Sequence, residues 1–144
     1  MMKQKQFILN NGLQFAWAVA VFATGGSLYL SEVMEYAPCE LCWFQRIFMY
    51  PLVFILGVAS VKKDFKVYRY VLPLAMVGGC ISIYHYLVQK TAFFKEHSTT
   101  CGIVPCDIDY LDWFGVITIP MLALIAFIII TVVMLLVRKA SKNA

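Results

Sequence analysis

Four long apolar runs, at residues 13–30, 41–61, 71–87 and 114–137, constrain this chain more than anything else in it. A helix needs about 20 apolar residues to cross the hydrocarbon of a bilayer, and each run approaches or exceeds that length. Strands are excluded for two reasons. The runs lack apolar–polar alternation, and an open sheet edge cannot satisfy its backbone groups in lipid. Even the β-branched segment Phe127-Ile128-Ile129-Ile130-Thr131-Val132-Val133 therefore reads as helix. With 62% hydrophobic and 14% charged residues, 144 residues carry too few polar groups to cover a soluble globule. The expected fold is all-α: one integral membrane domain, a four-helix bundle over residues 1–144.

The basic residues orient the bundle. Lys3 and Lys5 precede the first run, and Lys62, Lys63, Lys66 and Arg69 fill the second connection. Arg138, Lys139 and Lys142 follow the fourth run. In an even-numbered set of spans these regions share one side, which the positive-inside rule assigns to the cytoplasm together with both termini. Because the basic residues are dispersed at span ends, the net charge of +4 is not a nucleic-acid footprint. The other two connections carry Glu32, Glu35, Glu40, Glu96, Asp107, Asp109 and Asp112, with Lys90 and Lys95 as their basic residues. They are expected to be extracytoplasmic. A cleaved signal peptide is the alternative for the first run, given Lys3, Lys5 and the small residues around Ala23-Thr24-Gly25. Its removal would leave three spans and strand the charge pattern.

Two cysteine pairs fall in those outer regions. Pro38-Cys39-Glu40-Leu41-Cys42 opens the second run, and Cys101-Gly102-Ile103-Val104-Pro105-Cys106 lies in the long polar segment before the fourth. Disulfides persist outside the cytoplasm, and two close pairs can pass electrons in series. Pro38 suits a first helical turn, which places Cys39 near free backbone amides and the positive dipole end, where a thiolate is favoured. Cys42 lies one turn on and Arg46 four residues further, so the three share a helix face. A guanidinium there can stabilise a thiolate or donate to an oxygen of a bound ring. The competing readings are half of a metal site for Cys39 and Cys42, and snorkelling for Arg46. Cys101 and Cys106 enclose a short loop that a disulfide would stabilise little, which favours a labile bridge over a structural one. Ile108, Tyr110, Leu111, Trp113 and Phe114, interleaved with aspartates, suggest an interfacial segment that holds this pair near the second span.

Other polar residues inside apolar runs are weighed the same way. His85, near the outer end of the third run, could bond a ring, relay a proton or form an interhelical hydrogen bond. Gln45 has the interhelical option too, and Tyr84 and Tyr86 could line a ring pocket beside His85. His97 is expected to be solvated, and Cys80 to be a buried packing residue within the third span. Trp17 is expected to pack within the bundle, and Trp43 and Trp113 to lie in the interfacial belt.

The run Pro38-Cys39-Glu40-Leu41-Cys42-Trp43-Phe44-Gln45-Arg46 resembles the P-C-x-L-C-x-x-x-R pattern of DsbB-type disulfide bond formation proteins. The likeness extends over nearly the whole chain and is closest to the compact BdbC-type members. Cys101 and Cys106 match the family's second pair by position, at shorter spacing than in proteobacterial members, and His85 matches a family histidine by approximate position.

The resemblance implies a bacterial cell-membrane enzyme, a quinone-dependent oxidoreductase that reoxidises an extracytoplasmic thioredoxin-like thiol oxidase of the DsbA/BdbD type. Its cofactor would be menaquinone or ubiquinone. Cys39, Cys42, Cys101 and Cys106 would be catalytic, and the quinone would be met by Cys42, Arg46, His85 and Gln45. No resident metal is implied. Besides a structural scaffold, which leaves the intramembrane Arg46 unexplained, two alternatives compete. One is a vitamin K epoxide reductase-like quinone enzyme, which usually places its C-x-x-C late in the bundle. The other is a small membrane protein that handles metal through Cys39, Cys42, His85 and the outer pair.

Overall fold

The computed structural model describes residues 2–33, 40–90 and 119–142. It contains four long helices: α1 (Met2–Glu32), α2 (Glu40–Lys62), α3 (Tyr68–Lys90) and α4 (Ile119–Lys142). No strand occurs among the described residues. Four helical segments are long and apolar enough to cross a membrane: Lys3–Tyr29, Trp43–Lys62, Phe65–Leu87, which includes a short 3-10 turn before α3, and Met121–Lys142. The chain is therefore a multi-pass membrane protein. Helix α1 begins well before the apolar run at residue 13, because backbone hydrogen bonding continues through the polar N-terminal residues. Hydropathy marks only the part of a helix that lipid can hold. The expected interfacial segment at 108–114, Cys39, Cys101, Cys106, His97 and Trp113 lie outside the described residues.

The helices form a ring in which α1 packs on α2, α2 on α3, α3 on α4, and α4 back on α1. Neighbours run antiparallel. Ser27 meets Arg46 while Trp17 lies over Gly57, which fixes the α1–α2 register. Gly78 faces Phe127 across α3–α4, and Gly12 approaches Val137 across α1–α4. The core inside this ring includes Leu13, Ala16, Leu52, Leu56, Val71, Phe127, Ile130 and Met134, all nearly inaccessible. The opposite faces carry exposed apolar side chains such as Phe22, Phe54 and Val61, whose natural solvent is lipid.

The α2–α3 connection is tight. Lys63 adopts a left-handed conformation with φ of 55°, and the Asp64 amide donates to the Ala59 carbonyl at 3.0 Å. That six-residue closure ends α2. The Asp64 carboxylate then accepts from the Lys66 amide at 3.1 Å, starting the short 3-10 turn Phe65–Val67 that leads into α3.

Cys80 departs from the expected burial: it is exposed. The inward stripe of α3 runs through Val71, Ala75, Gly78, Ser82 and His85, at three- and four-residue steps. Cys80 falls two residues past Gly78, on the far side of the helix.

Candidate functional site

The antiparallel arrangement gathers the start of α2, the end of α1 and the end of α3 at one end of the bundle. The basic residues Lys3, Lys5, Lys62, Lys63, Lys66, Arg69, Arg138, Lys139 and Lys142 all belong to the other end. Cys42 is the third residue of α2, one helical turn before Arg46 and on its face.

Arg46 turns into the α1–α2 interface. Its Nε donates to the Ser27 hydroxyl at 3.0 Å and its Nη2 to the Ser27 carbonyl at 3.2 Å, while the guanidinium lies 5.4 Å from the Trp43 ring centroid. Bonds from one helix and a cation–π contact from its own helix fix the orientation of the charge. A freely snorkelling arginine would instead reach toward water. Two of its five N–H groups are used, and the remaining three have no partner among the described residues. No carboxylate among the described residues pairs with it. The site therefore offers a part-buried, directed positive charge.

On the α3 side of α2, Gln45 and His85 meet. Both are buried, and the Gln45 amide nitrogen lies 3.2 Å from His85 Nδ1. An amide nitrogen only donates, so in this contact Nδ1 is the accepting atom. The interhelical hydrogen bond open to each residue from sequence is thus one they make with each other. Ser82, a turn deeper on α3, is buried and satisfied by the Gly78 carbonyl at 3.0 Å. Tyr84 is exposed and Tyr86 half-buried on either side of His85.

Three contributors escaped sequence reasoning. Ser27 anchors Arg46, and the Thr24 and Tyr50 hydroxyls are buried with no hydrogen-bond partner among the described residues. The register set by Ser27–Arg46 and Trp17–Gly57 puts Thr24 and Tyr50 at one level, about a turn deeper than Arg46. A small hydroxyl residue in an apolar helix is unremarkable alone. The available signal was positional: counted antiparallel from the loop between α1 and α2, Ser27 falls opposite Arg46.

Comparison with known proteins is consistent across the whole bundle. The family model described as disulfide bond formation protein DsbB matches residues 10–137. The chain is 55% identical over 124 residues to the probable disulfide formation protein C 1 of Bacillus anthracis, covering 86% of this chain and 89% of that one. It is 53% identical over 126 residues to the disulfide bond formation protein C of Bacillus subtilis, covering 88% and 91%. A probable disulfide formation protein of Metapseudomonas resinovorans is 40% identical over 130 residues, covering 90% of each chain. No solved structure matches the chain. The chain, a four-helix membrane bundle with an anchored arginine one turn below a cysteine at the end opposite most of its basic residues, belongs to the DsbB family of disulfide bond formation proteins, membrane oxidoreductases of thiols.

Proposed function

We propose that the protein reoxidises an extracytoplasmic thioredoxin-like thiol oxidase and delivers the electrons to a membrane quinone, menaquinone or ubiquinone. The observation that carries this reading is Arg46: a directed cation in the bundle, one turn from Cys42 along the same face, with three N–H groups that no described residue meets. The collection of Lys3, Lys5, Lys62, Lys63, Lys66, Arg69, Arg138, Lys139 and Lys142 at the opposite end, against Lys90 alone among the described helix-terminal cations at this one, supports an extracytoplasmic position for the cysteine end.

The thiol chemistry balances step by step. The partner's thiolate attacks Cys101, breaking the Cys101–Cys106 bond and freeing the Cys106 thiolate. The partner's second thiolate then closes its own disulfide and releases Cys101. Cys106 attacks Cys39, breaking Cys39–Cys42, and Cys101 resolves that mixed disulfide, which leaves Cys39 and Cys42 reduced. Arg46, one helical turn from Cys42, supplies the positive charge that favours a thiolate over a thiol at that level of the bundle.

The residues present fit a quinone. The Thr24 and Tyr50 hydroxyls are buried without described partners, and buried hydroxyls call for hydrogen bonds that a ring carbonyl can accept. Arg46, Gln45 and His85 add polar groups on the adjoining faces. When bound, a quinone supplies the two-electron acceptor that restores the Cys39–Cys42 disulfide.

The test mixes purified protein, reduced thioredoxin-like partner and a quinone analogue, and follows quinone reduction. Cys42→Ser abolishes turnover. Arg46→Ala raises the half-saturating quinone concentration about tenfold or more, the scale of a lost charged hydrogen bond, while partner oxidation by the Cys101–Cys106 pair in a single turnover is unchanged. Normal quinone reduction by Cys42→Ser would refute the electron path.

A further inference from the structure

At the basic end of the bundle, α3 and α4 flank an open surface cavity of about 390 Å³ lined by Tyr68, Arg69, Leu72, Arg138 and Lys142. We propose that it binds the phosphate headgroup of an anionic phospholipid from the leaflet at that end.

Three cations converge on the cavity and no acidic residue lines it. The nearest carboxylate in sequence, Asp64, is occupied in capping the 3-10 turn through the Lys66 amide at 3.1 Å. The positive-inside rule asks only for basic residues near the ends of spans. It gives no reason for residues from two helices to surround one concavity. Arg69 adds an independent argument. It stands in the first turn of α3, which contains no acidic residue, so like charge meets the positive end of the helix dipole. An anion in the cavity reverses that unfavourable contact and is offered the guanidiniums of Arg69 and Arg138 and the ammonium of Lys142.

A phosphate could come from lipid or from solution, and the position favours lipid. The apolar segments Phe65–Leu87 and Met121–Lys142 both end here, where hydrocarbon gives way to headgroups. Leu72 supplies an apolar floor at 9% exposure, and Tyr70 and Leu135, each within a turn of the lining, are exposed on the lipid side for acyl chains to cover. Basic pockets between spanning helices are suited to anionic headgroups for these reasons.

Native mass spectrometry of the detergent-purified full chain tests the site, with equimolar phosphatidylglycerol and phosphatidylcholine as probes. Retention of phosphatidylglycerol about tenfold above phosphatidylcholine is expected. It should fall to the phosphatidylcholine level in Arg69→Gln/Arg138→Gln, fall partway in Lys142→Gln, and persist in Lys3→Gln/Lys63→Gln, which removes equal charge outside the cavity. Millimolar inorganic phosphate should not displace the lipid. Equal retention of the two lipids overturns the proposal. So does an undiminished preference in both cavity variants, or displacement by inorganic phosphate, which would make a soluble anion the occupant.

Discussion

Arg46 shows how a single residue can be costly and useful together. A guanidinium among apolar side chains persists only if its donors are met, and Ser27 meets two of them from the neighbouring helix. Ser27 is therefore a positioning residue for the charge. Ser27→Ala should raise the half-saturating concentration of a quinone analogue about fivefold and leave kcat near the parent value, and Ser27→Thr, which keeps a hydroxyl, should restore it. Steady-state kinetics that show an equal loss in kcat, without rescue by threonine, would assign Ser27 a merely structural part. Arg46, Gln45 and His85 were legible in the sequence because polar side chains stand out within apolar runs. Ser27, Thr24 and Tyr50 were not, because their hydroxyls gain meaning only from what lies across the interface.

Between elements, close approach is bought by the absence of side chains. A Cβ on Gly78 would lie 2.5 Å from the Phe127 ring carbons, and one on Gly57 would lie 2.9 Å from Trp17 Nε1. Phe127 is itself fully buried, so the α3–α4 contact has little room to yield. Gly78→Ala should destabilise the detergent-solubilised protein by about 1–3 kcal/mol, the usual scale of overpacking, and Phe127→Leu placed beside it should recover part of the loss. Thermal unfolding measures both, and an unchanged midpoint in Gly78→Ala would contradict the packing described here. Sequence periodicity hardly marks this contact. All faces of these helices are apolar, since lipid covers the outside, so hydrophobicity does not distinguish inside from outside. The misplacement of Cys80 has the same origin: a small, weakly polar thiol suits either face.

For the whole molecule, the up-down ring separates two chemical ends. One carries the terminal cations and the α3–α4 cavity, and the other carries Arg46, Gln45 and His85. The proposed orientation predicts that Asp64→Cys, in a chain with its native cysteines replaced by serine, is modified by a membrane-impermeant maleimide only after the membrane is opened. Modification in intact cells would invert the molecule and remove the extracytoplasmic thiol relay with it.

The number of spans, their helical form and their alternating direction were settled by the sequence alone. Lipid offers no partner for an unpaired backbone group, so long apolar runs have one regular solution, and basic residues cross the membrane reluctantly. The candidate pairs of cysteines were equally visible as local motifs. Only the tertiary structure decided which polar groups meet: Arg46 with Ser27, Gln45 with His85, and Arg69 with Arg138 around one cavity. Those encounters depend on helix rotation and axial register. Van der Waals fit between neighbouring helices sets both, and hydropathy is nearly blind to it.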